Sequence, residues 1–241
     1  MKTLNLSGKT AVITGAGQGV GLETVRIMAA KGAHIHALDV DASHLSALKA
    51  ELGDRVSAHL CDISKEHEVD AAFADIPMLH VLVNNAGIQR ESRFEDIDLD
   101  DWRHTIDVNL TGTFLCIRAA LPKMEPNTTI LNVLTHTGRR TNLYPYAASK
   151  AAIHNLTQNL AIELGPRGIS INGLAFGAIF SQRNAGWQDD PAQVQAAKDR
   201  TPLGFMLEAA DIAGQLVSFV ENSSLYATGT IFDVSGGRSL R

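Results

Sequence analysis

The stretch Thr14-Gly-Ala-Gly-Gln-Gly-Val-Gly21 decides the fold, because it joins a short β-branched run to the helical pattern of Val20–Lys31. Gly15, Gly19 and Gly21 permit a tight turn in which backbone amides approach a pyrophosphate closely. The helix that follows adds unpaired N–H groups and a favourable dipole at its amino terminus. A flexible surface loop is the other interpretation of these glycines, but a strand before them and a helix after them favour a dinucleotide site.

Short apolar runs alternate with longer amphipathic stretches along the rest of the chain. The runs predict seven buried strands, at Thr10–Thr14, Ala33–Leu38, Val56–Leu60, Leu79–Val83, Thr129–Val133, Ile169–Asn172 and Thr230–Val234. The amphipathic stretches predict six helices, at Val20–Lys31, Ala42–Leu52, Lys65–Ala74, Leu99–Met124, Tyr146–Leu164 and Ala209–Val220. Strands joined by crossover helices indicate a doubly wound, seven-stranded parallel sheet with helices on both faces, which is a Rossmann fold of the α/β class.

A single domain over residues 1–241 is expected, since the chain shows neither a low-complexity linker nor an internal repeat. The longest irregular stretch, roughly Phe176–Leu207, follows the sixth strand and contains a helical pattern at Pro191–Arg200. Ligands of such sheets bind beyond the carboxyl ends of the strands. A long insertion at that edge is therefore predicted to be a substrate lid.

Composition excludes several classes of function. The chain has 241 residues, and 21 Lys and Arg against 26 Asp and Glu give a net charge of −5, the opposite of a non-specific nucleic-acid binder. It contains neither an apolar stretch long enough to span a membrane nor a signal-peptide core. Cys61 and Cys116 lack metal or redox spacing, which suits a reducing compartment. We therefore expect a soluble cytoplasmic protein.

Asp39 ends the second predicted strand, 18 positions beyond Gly21. An acid at about this distance accepts hydrogen bonds from the ribose hydroxyls of NAD and repels the 2′-phosphate of NADP. Neither the glycine loop nor Val40 supplies the cation that a phosphate would need. Asp39 as a plain loop or helix-cap acid is the alternative, but its neighbour Asp41 suits that role better. The cofactor predicted here is NAD.

Tyr146 and Lys150 are the candidate acid–base pair, in Tyr144-Pro-Tyr-Ala-Ala-Ser-Lys150. Four residues apart on a helix, the two side chains lie on one face. A lysine ammonium beside a phenol favours the phenolate and lowers the pKa of the tyrosine. Tyr146 is then a proton donor or acceptor for interconversion of an alcohol and a carbonyl. Tyr144 is the competing phenol, but it has no lysine four residues on.

These residues occur in an order that resembles the short-chain dehydrogenase/reductase family over essentially the whole chain. The matching motifs are the glycine loop, Asp62, Asn84-Asn85-Ala86-Gly87, Asn109 and Tyr146-x-x-x-Lys150. The resemblance implies that Asn109 bends the long crossover helix and anchors a water leading to Lys150, which also holds the nicotinamide ribose. It implies cofactor contacts at Gly15, Gln18, Gly19, Val20, Gly21, Asp39, Asp62, Ile63, Asn85, Ala86, Gly87, Tyr146, Lys150, Ile179 and Ser181.

The chain departs from that family where a serine normally orients the substrate oxygen. Alignment of Thr129-Ile-Leu-Asn-Val-Leu-Thr-His-Thr-Gly138 with the family pattern places Thr135 at the serine position, with Thr137 as the second candidate. Threonine keeps the hydroxyl, but its extra methyl narrows the geometry. Phe176-Gly177 and Ser235 are further departures in the second half. The nine histidines form no metal-binding motif, so we predict no catalytic metal.

The substrate is suggested by arginines that follow the predicted strands. Arg90, Arg139 and Arg183 leave the carboxyl ends of different strands, and arginine binds carboxylates through a two-pronged contact. Gly87-Ile-Gln-Arg90 also resembles the same stretch in gluconate 5-dehydrogenases and related keto-sugar-acid reductases of the family. We therefore favour a sugar acid or polyol, with His136 as a further contact. Solvated loop arginines or subunit salt bridges are the alternative.

Together these features predict an NAD-dependent oxidoreductase that interconverts a secondary alcohol and a ketone on a small hydroxylated substrate. A 3-oxoacyl or steroid-type carbonyl reductase is the alternative within enzymes. A catalytically silent NAD-binding regulatory protein is the alternative outside them, prompted by Thr135 and the altered second half. The resemblance further implies a homo-oligomer, a dimer or tetramer, with neither nucleic acid nor membrane as a partner.

Overall fold

The computed structural model describes residues 3–135, 142–177, 179–180 and 189–240. The strands are β1 (Thr10–Thr14), β2 (His34–Asp39), β3 (Val56–Leu60), β4 (Val81–Asn84), β5 (Thr128–Thr135), β6 (Ile169–Phe176), β7 (Ile179–Phe180), β8 (Leu207–Glu208) and β9 (Ile231–Val234). The helices are α1 (Gly19–Ala30), α2 (Ala42–Leu52), α3 (Glu66–Ala74), α4 (Leu99–Ile106), α5 (Gly112–Ala120), α6 (Tyr144–Leu164), α7 (Pro191–Asp199) and α8 (Ala209–Asn222).

Seven strands form one sheet in the order β3-β2-β1-β4-β5-β6-β9, and every neighbouring pair is parallel. Two buried apolar clusters cover its faces: α1, α2 and α8 pack on one, and α3, α5 and α6 on the other. All eight residues of β5 are buried, as expected for a strand enclosed on both faces. The predicted doubly wound α/β fold in a single domain is confirmed.

The predicted strands are found with modest shifts, the largest at β6. The predicted end at Asn172 is wrong, because β6 continues to Phe176 and pairs on both sides, with β5 and with β9. Gly173 lies inside the strand, where a Cβ would come within 2.5 Å of Leu134 and 2.7 Å of Ile231. The glycine therefore makes room for neighbouring side chains instead of ending the strand.

The predicted helix Leu99–Met124 is present, but its hydrogen-bond pattern changes twice. It is divided into α4 and α5 by a π-helical turn over Asp107–Thr111, and a 3₁₀ turn over Leu121–Lys123 follows. Turns of this type disrupt the regular hydrogen-bond ladder and frequently mark functional positions. Helix α6 begins two residues earlier than predicted, because Pro145 suits the first turn of a helix.

The segment after β6 contains the predicted helix, α7, and a two-stranded sheet of β7 and β8 that the sequence analysis missed. Helix α8 begins with a capping box in which Glu208 and Asp211 exchange side-chain and backbone hydrogen bonds. Within the part of the chain that the structure describes, no helix is long and apolar enough to cross a membrane.

Candidate functional site

A cavity of about 580 Å³ lies along the carboxyl edge of the sheet. At one end, called here the acidic end, it is bounded by Asp39 at the end of β2 and Asp62 after β3. At the other, the lysine end, it is bounded by Thr135 of β5 and by Tyr146 and Lys150 of α6. Parallel sheets of this order bind ligands at the same edge, so the cavity is the candidate functional site.

The glycine loop brings backbone to the cavity wall between these ends. Gly15 and Gly19 have φ of +61° and +56°, which only glycine adopts readily. A Cβ on Gly21 would lie 2.0 Å from the carbonyl oxygen of Gly15, so this position allows close passage of two backbone segments. Gln18, the N-cap of α1, makes no capping side-chain hydrogen bond. The first N–H groups of α1 are thus left for a ligand, as a diphosphate requires.

Asp39 holds the glycine loop as well as facing the cavity. Its side chain is buried, and Oδ2 accepts a hydrogen bond from the backbone N–H of Gly17 at 2.8 Å. Oδ1 accepts from the N–H of Asp41 at 3.0 Å. Asp41 itself caps α2 by accepting from Ser43 and His44, which agrees with the division of roles expected from the sequence. The hydrogen bond at Gly17, which the sequence analysis did not single out, therefore joins the glycine loop to the end of β2.

Val20 and Ile63, which were also predicted, line the cavity, as do Asn85, Ala86 and Gly87, whereas Gly21 is not among its lining residues. Asp62 closes its own turn by accepting from the N–H and hydroxyl of Ser64. Asn85 donates from Nδ2 to the carbonyl oxygens of Thr14 and Gly15, each at 3.0 Å. It therefore joins the loop after β4 to the glycine loop.

Cys61 lines the acidic end beside Asp62. Burial, together with the nearby charges of Glu68 and Asp62, raises the pKa of its thiol to about 12. Cys116 is buried on the same face of the sheet, and its pKa is also raised by burial. Both cysteines are free thiols. Both therefore stay protonated at neutral pH and act as small apolar groups.

Asn109 lies in the middle of the π-helical turn and is fully buried. Its Oδ1 accepts from the N–H of Ile88 at 2.8 Å, and its Nδ2 donates to the carbonyl oxygen of Ile88 at 2.9 Å. Nδ2 also donates to Oγ of Ser149 at 3.1 Å. The amide thus joins the loop after β4 to helix α6, just below the lysine end of the cavity.

Tyr146 and Lys150 face the cavity together from the first turns of α6. The Nζ of Lys150 lies 5.8 Å from the centroid of the Tyr146 ring and donates to the carbonyl oxygen of Val133 at 2.8 Å. Lys150 is buried, so its charge is little screened by solvent. The predicted pairing on one helix face is thus present, with the ammonium held between α6 and β5.

Thr135 ends β5 and lines the cavity with the acid–base pair. It is 5% exposed, and within the described residues its Oγ1 is buried without a hydrogen-bond partner. Such a hydroxyl costs free energy until a ligand atom satisfies it. This observation agrees with a hydroxyl that orients a substrate oxygen. The fallback candidate, Thr137, lies outside the described residues.

The structure does not bring Arg90 to the cavity wall. Arg90 is exposed and forms an ion pair with Asp101 of α4 at 2.5 Å, whereas its neighbours Gln89 and Glu91 line the cavity. The other predicted cofactor or substrate contacts beyond β5 and β6 lie outside the described residues, namely His136, Arg139, Ser181 and Arg183. Ile179 does line the cavity.

Several lining residues escaped the sequence analysis. His104 of α4 and Arg238, which follows β9, both face the cavity. Arg238 also donates to the carbonyl oxygen of Ala197 in α7 at 3.0 Å. The rule that ligands bind beyond the carboxyl ends of strands, applied to β9, would have found Arg238. His104 has no such signal, because it reaches the cavity through the packing of α4. Leu143 and Phe176 supply apolar wall near the lysine end.

The fold and this cavity define a dinucleotide-binding α/β domain in which the candidate acid–base pair, Tyr146 and Lys150, faces the cavity. A family model described as enoyl-(acyl carrier protein) reductase matches residues 15–239. The chain is 34% identical over 240 residues to the 3-alpha-(or 20-beta)-hydroxysteroid dehydrogenase of Mycobacterium tuberculosis, covering 96% of this chain and 90% of that protein. It is 34% identical over 242 residues to galactitol 2-dehydrogenase (L-tagatose-forming) of Cereibacter sphaeroides, covering 96% and 95%.

A crystal structure titled a short-chain dehydrogenase/reductase, glucose/ribitol dehydrogenase, from Brucella melitensis matches with a TM-score of 0.91 at 27% identity, over 99% of both chains. This chain belongs to the short-chain dehydrogenase/reductase family, as the sequence analysis predicted. It is an oxidoreductase, and its family uses a nicotinamide cofactor, NAD(H) or NADP(H). The glycine loop and the uncapped start of α1 fit the diphosphate of either cofactor.

Proposed function

We propose that this protein is an NAD-dependent oxidoreductase that interconverts a secondary alcohol and a ketone on a small polyhydroxylated substrate. One observation carries the proposal: Tyr146 and Lys150 line the same cavity as the glycine loop and Asp39. A hydride acceptor bound along the loop and a proton acceptor at Tyr146 are the two requirements of alcohol oxidation.

The cofactor supplies hydride transfer, and the chain supplies orientation and proton transfer. In the oxidation direction the phenolate of Tyr146 takes the hydroxyl proton of the alcohol, and in reduction the phenol returns it to the carbonyl oxygen. The buried ammonium of Lys150 stabilises the phenolate and is proposed to hold ribose hydroxyls of the cofactor. Oγ1 of Thr135 is proposed to fix the substrate oxygen, which would satisfy its missing hydrogen bond.

Charge at the acidic end supports NAD as the cofactor. Asp39 and Asp62 line that end, and Val40 beside them is 68% exposed. The described residues that line the cavity at this end, from the glycine loop to Ile63, include neither lysine nor arginine. A 2′-phosphate would therefore meet two carboxylates without a compensating cation. Steady-state kinetics with NAD and NADP test this choice.

The polar wall beside the lysine end supports a polyol more than a sugar acid. Gln89, Glu91 and His104 can exchange hydrogen bonds with hydroxyl groups. Arg90, on which the sugar-acid hypothesis partly depended, is paired with Asp101 instead. The galactitol dehydrogenase relative agrees with a polyol by its name.

A steroid-type carbonyl reductase is the second candidate function. Val108, Leu143, Phe176 and Ile179 give the cavity an apolar side, and the mycobacterial relative is named a hydroxysteroid dehydrogenase. A flat apolar substrate would gain from burial against this side. The two candidates predict different substrates for the same catalytic residues.

NADH formation with a panel of polyols, sugar acids and hydroxysteroids is the experiment that tests the proposal. Turnover of a polyol is expected, and Tyr146→Phe is expected to abolish it. Tyr144→Phe is the matched control, since it removes a nearby phenol that lacks the lysine partner. Activity that survives Tyr146→Phe would refute the mechanism, and turnover of steroids alone would establish the second candidate.

We also propose that residues 176–207 act as a substrate lid. Helix α7 lies in this segment, and Arg238, which lines the cavity, donates a hydrogen bond to it.

We further propose that the chain forms a homo-oligomer. Phe114 on α5 is 46% exposed and Ile162 on α6 is 80% exposed. Apolar side chains of this size on neighbouring helices favour burial against a second copy. Light scattering of the native chain and of Ile162→Glu tests the assembly.

A further inference from the structure

A buried hydroxyl lies between Tyr146 and Lys150 in sequence, and it has no part in the proton transfer or ligand binding proposed above. Ser149 on α6 is fully buried. Its Oγ donates to the carbonyl oxygen of Tyr146 at 2.7 Å and accepts from Nδ2 of Asn109 at 3.1 Å. Both hydrogen bonds are made by one small side chain, so its position is determined from two directions.

The direction of each hydrogen bond in this series, which runs from Ile88 through Asn109 and Ser149 to Tyr146, follows from the backbone N–H of Ile88. The N–H of Ile88 is a donor, so the Asn109 atom that it meets is the amide oxygen. The other atom of that amide is therefore the NH₂ group, which donates both to the carbonyl oxygen of Ile88 and to Oγ of Ser149. The hydroxyl proton of Ser149 is then left for the carbonyl of Tyr146. Reversal of any one bond would leave a buried group unsatisfied.

The two ends of this hydrogen-bond chain adjoin the acid–base pair. Ile88 follows Gly87, where a Cβ would lie 3.2 Å from Oδ1 of Asn109 and 3.6 Å from Nζ of Lys150. The backbone of Gly87 therefore runs between the Asn109 amide and the lysine ammonium. The other end of the chain is the carbonyl of Tyr146 itself. Ser149 thus connects the backbone of Tyr146, through Asn109, to the Gly87–Ile88 loop beside Lys150.

Among the described residues, the start of α6 has no side-chain cap, although the Tyr144 ring packs against Phe94. Its N-cap, Leu143, makes no side-chain capping hydrogen bond, and such a cap normally contributes about 1 kcal/mol. Tyr146 lies in this first turn. A cap would accept from the N–H groups of this turn. Ser149 instead donates to its Tyr146 carbonyl and joins the turn to Asn109.

We propose that Ser149 is a positioning residue for the acid–base pair: it sets the placement of the Tyr146 backbone relative to Asn109 and the Gly87–Ile88 loop. The inference rests on the proposed function of Tyr146. Ser149 does not line the cavity, so it acts through Tyr146 and Lys150 and touches neither substrate nor cofactor. Reaction rates are sensitive to misplacement of reacting groups by about 1 Å, so loss of this link should reduce turnover.

The same helix supplies a matched control in Thr157. Thr157 is also fully buried, donates from Oγ1 to the carbonyl oxygen of Ile153 at 2.7 Å and accepts from Nδ2 of Asn132 at 2.9 Å. Its hydrogen bonds thus have the same types of partner as those of Ser149. They lead to Asn84 in the middle of the sheet instead of to the loop beside Lys150.

The experiment compares Ser149→Ala, Ser149→Thr and Thr157→Val in the full chain, using kcat, the KM of the cofactor, the pH profile and the melting temperature. Ser149→Ala is expected to lower kcat by roughly 10-fold or more, with a smaller change in KM. Its kcat/KM profile in the oxidation direction should move to higher pH, because Lys150 stabilises the phenolate less well. Ser149→Thr keeps the hydroxyl and should recover most of kcat. Thr157→Val should lower the melting temperature and leave kcat and the pH profile close to those of the parent.

A parent-like kcat and pH profile in Ser149→Ala would overturn the inference, and so would equal losses in Ser149→Ala and Thr157→Val. Ser149→Cys fills the same space with a poor hydrogen-bond donor, so it gives the same comparison if Ser149→Ala does not fold. Tyr146→Phe separates this inference from the proposed function. An inactive Tyr146→Phe with a parent-like Ser149→Ala refutes only the role of Ser149, whereas an active Tyr146→Phe refutes the proposed function.

Discussion

The acidic end and the lysine end of the cavity are assembled in different ways. At the acidic end, glycine backbone and the two carboxylates Asp39 and Asp62 all come from the first three strand–loop units of the chain. At the lysine end, Thr135 comes from β5, Tyr146 and Lys150 from α6, and the supporting Asn109 from a π-helical turn. Local sequence thus shapes the first end, whereas packing between distant elements shapes the second. Substitutions at the acidic end should therefore mainly change cofactor binding, and substitutions at the lysine end should mainly change turnover.

Among the substitutions that compare the two ends, Lys150→Met should have the largest effect, and this effect should fall on the lysine end. It removes the buried ammonium 5.8 Å from the Tyr146 ring. Without that cation the phenolate of Tyr146 is less stabilised, so less phenolate is expected at neutral pH. We expect turnover to fall by about 100-fold or more, and the remaining alcohol oxidation to increase toward higher pH. A pH–rate profile checks this. A profile unchanged in shape would show that Lys150 does not tune the tyrosine.

Gly21→Ala tests the acidic end through its backbone. The added Cβ would lie 2.0 Å from the carbonyl oxygen of Gly15, so the glycine loop must move. We expect weaker cofactor binding and a loss of about 1–3 kcal/mol in the free energy of unfolding. Gly214→Ala in α8 is the control, because nothing lies within 4 Å of its Cβ position. That change should stabilise the helix by roughly 0.5–1 kcal/mol. Denaturant melts and cofactor titrations measure both.

Asp39→Asn separates the charge of the acidic end from its hydrogen bond to the glycine loop. Asparagine can still accept from the N–H of Gly17, as Oδ2 of Asp39 does at 2.8 Å, but it no longer repels a phosphate. Its NH₂ group cannot accept from the N–H of Asp41, as Oδ1 does, so the contact with Asp41 is lost. We expect the ratio of kcat/KM for NADP to that for NAD to increase by about 10-fold, or about 1.4 kcal/mol. Asp39→Ala also loses the loop contact and should weaken both cofactors. An unchanged ratio in Asp39→Asn would contradict the role of charge in cofactor choice.

The smallest effect expected is a loss of folding stability at acid pH, caused by a histidine on β2, the strand that ends at Asp39. Burial, then the nearby His59 and His34, lower the pKa of His36 on β2 to about 4. An unfolded histidine titrates near 6.5, so between these pH values the unfolded state binds more protons than the folded state. Stability should therefore fall as pH decreases from about 6.5 to about 4, and this contribution should level off below that.

Melting temperatures of the native chain and His36→Leu between pH 4 and 8 measure this dependence. The variant should show a flatter profile on the acid side. His67→Leu is the control, because the side chain of His67 is 82% exposed. An equally steep profile in His36→Leu would assign the acid sensitivity to other groups.

Much of the acidic end was predictable because each of its parts is short-range. A strand followed by glycines and a helix requires a particular backbone path, and an acid at the end of the next strand lies beside it. The predicted cofactor residues Gly15, Gln18, Gly19 and Val20 all line the cavity. Gly17 was missed because its role depends on a hydrogen bond to Asp39, which is 22 residues away.

The lysine end was predictable in its motif but not in its surroundings. Spacing placed Tyr146 and Lys150 on one helix face, yet Arg90 turned to Asp101 and its neighbours Gln89 and Glu91 faced the cavity. The π-helical turn at Asn109 was not visible in the apolar periodicity of residues 99–124, although the family resemblance implied a bend of the helix there. Which way a loop side chain points depends on the ion pairs and packing available to it in three dimensions.

The sequence alone determined the order of strands and helices, the path of the glycine loop, the acid at the end of β2 and the spacing of the tyrosine–lysine pair. These features depend on local hydrogen bonding and on periodic burial, which neighbouring residues specify. Tertiary structure alone decided that Arg238 and His104 reach the cavity and that Ser149 links Asn109 to Tyr146. It also decided that the buried hydroxyl of Thr135 has no hydrogen-bond partner among the described residues. Each of these depends on contacts between elements distant in sequence, and only the packed sheet brings those elements together.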